Sequence, residues 1–176
     1  MLEAVTSRAH VLAYATLAAL MLAGVCDAQQ TSSAPTAAEV APDFALRSLS
    51  GSNIRLSEYR GSVVLLGFWA RWCGDCRQAM QALNSVQAKY ERAGLITLGI
   101  NVDDSFEQAA SMTQSLGLQF PVLVDTDKTA SSLFNLKSMP LLVLIDRDGR
   151  VRYSHGGFER GQELLITEQL RQLLNE

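Results

Sequence analysis

Cysteine and histidine are scarce in this chain, three and two among 176 residues. Three cysteines are too few to staple a small disulfide scaffold. Lysine and arginine number 15 against 18 acids and form no run, so nothing points to nucleic acid. No Gly-rich phosphate loop is present, and no internal repeat. What remains is 48% hydrophobic and 19% charged, with a net charge of −3. That is ordinary for one globular domain with room for a core.

The N-terminus departs from this background. Arg8 and His10 precede an apolar stretch from Val11 to Val25, interrupted by Tyr14, Thr16 and Gly24. The stretch is short for a membrane span and suits the core of a signal peptide. Cys26-Asp27-Ala28 supplies small residues for cleavage after Ala28. An uncleaved anchor is the alternative and leads to the same compartment. Lipidation at Cys26 would require a small residue before it, and Val25 is not small. The expected division is a leader or anchor at 1–28, a Ser/Thr/Ala/Gln-rich tether at 29–40, and one domain at 41–176. The expected location is extracytoplasmic, in a bacterial periplasm. Loss of the leader leaves Cys73 and Cys76 as the only thiols.

Those two lie in Trp72-Cys73-Gly74-Asp75-Cys76. Val63 to Ala70, before them, reads as a buried strand; after them Cys76, Met80, Leu83, Val86 and Tyr90 recur at helical spacing. The pattern places Cys73 at the helix tip and Cys76 on its buried stripe. Strand, CxxC and helix in that order point to a redox pair, with one thiol to attack and one to resolve. Half of a zinc site competes, but tetrahedral zinc usually takes four ligands, and only His155 accompanies the thiols in the mature chain. No cofactor or metal is expected. A purely structural disulfide also competes, yet so short a loop constrains the unfolded chain little.

Further strands are expected at Phe44 to Leu46, Ile54 to Leu56, Leu95 to Val102 and Val122 to Val124, with a hairpin of Leu141 to Ile145 and Val151 to Ser154 turning at Asp148-Gly149. Helices are expected at Phe106 to Leu116, capped by Asp104 or Ser105, at Thr129 to Phe134, and at Gln162 to Leu174. Asp103-Asp104 is read as capping. His155 is placed near a bulge and given no role. The alternation implies an α/β sandwich with a central mixed sheet and helices on both faces.

From Ala41 to Leu174 the chain resembles thioredoxin-fold proteins of the TlpA/ResA class of extracytoplasmic thiol–disulfide oxidoreductases. The residues that carry this are Pro42-Asp43-Phe44, Leu46, Gly51, Leu56-Ser57 and Gly61, then Phe68 to Arg77, then Met139-Pro140 with Leu141 to Asp146 and Gly149. The resemblance implies a thioredoxin-like three-layer sandwich with an N-terminal strand extension and a βαβ insertion over Ile96 to Val124. It also implies a cis Pro140 beside the disulfide. Met139 would offer backbone and a soft surface to an extended partner segment, and Trp72 an apolar platform.

Three positions depart from the family. Asp75 stands where many relatives have proline, and its charge disfavours a thiolate at Cys73, whereas Arg71 and Arg77 push the other way. Gly67 replaces the buried aspartate of thioredoxins. Ala79 replaces a glutamate common in TlpA/ResA relatives. Neither usual base for Cys76 is therefore present, which leaves Asp75 or water.

The implied function is reduction or exchange of protein disulfides, with exported thiol proteins such as apocytochromes c as partners, a membrane-bound thiol donor, and a monomeric chain. A peroxiredoxin-like peroxidase and a non-enzymatic thiol module for copper or protein binding are the alternatives.

Overall fold

A computed structural model describes residues 39–176. The expected leader, its cleavage site, Cys26 and nearly all of the tether lie outside the described residues. The chain runs β1 (Ala45–Ser48), β2 (Asn53–Arg55), a 3₁₀ turn (Leu56–Tyr59), β3 (Val63–Trp69), α1 (Cys76–Tyr90), a second 3₁₀ turn (Glu91–Ala93), β4 (Leu95–Asn101), α2 (Phe106–Leu116), β5 (Val122–Val124), α3 (Thr129–Leu133), β6 (Leu141–Ile145), β7 (Val151–Gly156) and α4 (Gln162–Leu174).

All seven strands form one sheet in the order β2-β1-β5-β4-β3-β6-β7. β3, β4 and β5 are parallel neighbours, while β1, β2, β6 and β7 pair antiparallel, so the sheet is mixed as expected. β3 lies inside the sheet, between β4 and β6, and every one of its residues is buried. A strand covered on both faces reads as an unbroken apolar run, which is why Val63 to Trp69 lacks polar alternation. Its alternate residues still part to opposite faces. Val63, Leu65 and Trp69 join a core with Met80 and Leu83 of α1, Leu116 of α2 and Ile166 and Leu170 of α4. Val64, Leu66 and Phe68 join a second core with Phe44, Leu56 and Ala130 of α3. Helices therefore cover both faces, but unequally, since the second face holds only the five-residue α3 together with the N-terminal chain and the first 3₁₀ turn.

Local signals set most boundaries. Ser105 caps α2 by accepting the Gln108 N–H, and Gly117 ends it at φ 61°, a left-handed conformation that costs glycine little. Neither Asp103 nor Asp104 caps, contrary to expectation. Asp104 instead pairs with the Lys128 ammonium at 2.7 Å, and Asp103 serves the site described below. His155 sits in regular pairing opposite Leu142; the irregularity of that hairpin lies at Leu144/Ile145. At the entry to the fold, Ala41 N–H donates to Gly149 O and Val151 N–H to Glu39 O.

Candidate redox site at the start of α1

β3 delivers the chain to the sheet's end, where residues 71–75 turn before α1 begins at Cys76. Cys73 thus lies in the turn three residues ahead of the helix, not in its first turn. The spacing of Met80, Leu83 and Val86 fixes which face of α1 is buried but not where the helix starts. Cys76 opens the helix and is 1% exposed, as its place on the buried stripe implies. Cys73 is half-buried at the surface. The two are joined by a disulfide, with Cα atoms 5.4 Å apart. Their difference in exposure separates a sulfur that a partner can reach from one that it cannot.

A buried carboxylate not assigned to the site from the sequence holds this turn. Asp103 is 2% exposed, and its two oxygens accept the Arg71 N–H at 3.2 and 3.0 Å. Asn101 Nδ2–H donates to Asp103 Oδ2 at 2.9 Å, and Asn101 Oδ1 accepts the Asp103 N–H at 3.0 Å. The end of β4 is thereby tied to the backbone two residues before Cys73. The Asn-x-Asp spacing after an apolar strand was the available signal; a capping role claimed it instead.

The positions of the family's usual bases are filled with apolar contacts. A Cβ on Gly67 would lie 2.7 Å from Leu83 Cδ2 and 2.9 Å from Met80 Cε, so a side chain there would require both of these to shift. Ala79 is fully buried on α1. Asp75 precedes the helix, is exposed, and its side chain caps nothing.

Beside Cys73 opens a cleft of about 430 Å³. Trp72, Cys73 and Asp75 form one wall; Leu136 and Met139 stand on the other. Trp72 is 68% exposed, an unusual state for so large an apolar ring. The Met139–Pro140 peptide is cis, and Pro140 is buried. The structure thus gathers Trp72, Cys73, Asp75 and Met139, all singled out from the sequence, around one opening. Trp69 and Phe68 are core, as expected. Lys128, Ser131 and Lys137 also line the cleft, and nothing in the local sequence marked them. Among the described residues no cluster of three or more histidine, cysteine or acidic side chains is placed to hold a metal, and no helix is long and apolar enough to cross a membrane.

Comparison with known proteins agrees with this geometry. The chain is similar to the thiol-disulfide oxidoreductase ResA of Geobacillus kaustophilus, 35% identical over 112 residues, or 64% of each chain. It therefore spans 64%, less than two-thirds, of the length of the ResA relatives it matches. The thioredoxin-like protein YneN of Bacillus subtilis is 32% identical over 126 residues, 70% of this chain and 74% of that one. Among solved structures, a protein of Chlorobium tepidum assigned as thiol:disulfide interchange protein DsbE superimposes with a TM-score of 0.75 at 36% identity, covering 78% of this chain and 96% of that one. The fold is thus thioredoxin-like, and the resemblance to ResA-type proteins holds. The AhpC/TSA family profile matches residues 37–154, more than half of the sequence, and the chain belongs to that family.

Proposed function

We propose that this chain is an exported thiol–disulfide oxidoreductase that reduces disulfides in protein partners through Cys73 and Cys76. The observation that carries the reading is the disulfide itself, with one sulfur open to a cleft and the other buried under the sheet's end. In the dithiol form, the Cys73 thiolate attacks one sulfur of a partner disulfide. A mixed disulfide forms and the partner's other sulfur leaves as a thiolate, which takes up a proton. Cys76 loses its proton and attacks Cys73 Sγ. The Cys73–Cys76 bond closes, the partner's second thiolate departs, and two electrons have passed to the partner.

The N–H groups of the first turn of α1 are unpaired within the helix and favour negative charge nearby, which supports the thiolate. Trp72 and Met139 supply apolar surface at the cleft. The pair itself needs no organic cofactor. It is returned to the dithiol by a dithiol donor, for which a membrane-bound protein is the proposed class. Exported thiol proteins such as apocytochromes c are the proposed partners. The chain acts outside the cytoplasm, in the periplasm, as a monomer with its N-terminus cleaved or retained as an anchor.

Equilibration of the purified chain with defined thiol buffers tests this. A reduction potential near about −270 mV or lower is expected of a reductant; one near about −120 mV marks an oxidant and overturns the direction. Cys76→Ser is expected to stop turnover at the mixed disulfide, seen as a partner-plus-protein mass lost on adding reductant. Rapid consumption of peroxide by the dithiol form would instead favour a peroxidase.

A further inference from the structure

The two walls of the cleft differ in charge. Asp75 is the only lining carboxylate among the described residues and belongs to the redox turn. Lys128, Ser131 and Lys137 belong to the opposite wall, built from α3 and the chain leading to Pro140. Ser131 is 7% exposed. Its N–H is held by Asp125 at 2.8 Å, and its hydroxyl makes no hydrogen bond among the described residues. The residue lines the cleft, so its hydroxyl is available there as a donor. The Lys128 ammonium donates to Val102 O and to Asp104 Oδ1, each at 2.7 Å. An ammonium has three donors, which leaves one N–H unused on a group already fixed in place. Lys137 is exposed and, among the described residues, has neither a carboxylate nor a hydrogen-bond partner.

The geometry points to a carboxylate subsite on this wall, which takes an Asp or Glu side chain flanking the attacked cysteine of the partner. The inference rests on the thiol–disulfide reading above. An occupant must be continuous with the sulfur that Cys73 attacks, because the same opening serves both. The anionic side chains of an unmodified polypeptide are Asp and Glu, and their oxygens accept from hydroxyl and ammonium donors alike. Asp75 repels the same carboxylate from the redox turn and so favours the far wall.

The test is single-turnover reduction of synthetic disulfide peptides by the dithiol form of the full chain. The peptides are identical except for Glu or Gln beside the attacked cysteine. The Glu peptide is expected to react about fivefold faster, the size of one ion pair at about 4 Å in water. The ratio is expected to fall toward one in Lys137→Gln and in Ser131→Ala, and in the unaltered chain as salt rises toward 1 M, where the Debye length is about 3 Å. Equal rates for both peptides overturn the subsite while leaving the oxidoreductase reading in place, as does a ratio that neither substitution changes. Failure to reduce either peptide overturns the oxidoreductase reading and the subsite with it.

Discussion

Asp75 stands between the two cysteines in sequence, exposed, with its carboxylate accepting no hydrogen bond from α1. An unbonded carboxylate beside a reactive sulfur acts through its charge, and a like charge disfavours the thiolate that must form at Cys73. Arg71 and Arg77 are exposed on either side, so solvent screens their opposing effect too. Asp75→Asn is expected to speed attack by the dithiol form at neutral pH, by about fivefold at most. The pH–rate profile of the same variant assigns the proton acceptor of Cys76. An altered profile gives that role to Asp75, and an unaltered one gives it to water. Neither of the usual base positions carries a titratable side chain: Gly67 packs against Leu83 and Met80, and Ala79 is buried in the core.

At the scale of elements, the redox turn is held from its neighbour strand. Asp103 carries the Arg71 N–H and the Asn101 amide, and both lose their acceptor in Asp103→Ala. A buried donor left unpaired costs about 1–3 kcal/mol, so urea unfolding is expected to show a lower midpoint with an unchanged slope. A surface-like effect of a few tenths would mean that the tie is dispensable. The elements themselves were largely legible. α2, β5 and α4 fall on their expected residues, because each is bounded by a short-range signal such as Ser105 before α2 or Gly117 after it. Cys73 lies three residues ahead of the helix rather than at its tip, since side-chain periodicity carries no information about where the first helical hydrogen bond forms. Asp103 was misread for a related reason. Its partner, Arg71, is 32 residues away on another element, and a local capping reading was the nearest explanation.

For the whole molecule, the sheet order brings distant segments to one end. β3, β4 and β6 are neighbours, so the turns leaving β3 and β4 meet the chain entering β6. The N-terminal segment is fastened separately. Asp43 accepts the Ser57 N–H at 2.9 Å, the Ser57 hydroxyl at 3.0 Å and the Arg55 guanidinium at 3.1 Å. Burial alone would raise its pKa; the Ser57 N–H, then Arg55 and the Ser57 hydroxyl, outweigh it and hold the carboxyl below its ordinary value of 3.8. The folded form therefore binds this proton less readily than the unfolded form. The contribution is complete above pH 3.8 and is lost as pH falls through the lowered value. Solvent screening keeps it small, under about 1 kcal/mol. Asp43→Asn is expected to lower stability at pH 6 and to differ little from the unaltered chain well below pH 3.8, as compared by urea unfolding.

The sequence by itself determined the elements, the division into two core faces and the redox pair. Each of these rests on interactions within a few residues: the unbroken apolar run of β3, helical spacing after Cys76, and two thiols close enough to join. Only the tertiary structure decided what ties the turn in place and what faces it across the cleft. Lys128, Ser131 and Lys137 lie more than 50 residues beyond Cys73. They reach it because β6 pairs beside β3 and the loop before it must follow. That pairing is set by how two cores close over one sheet, an energy shared among distant side chains that no short segment contains.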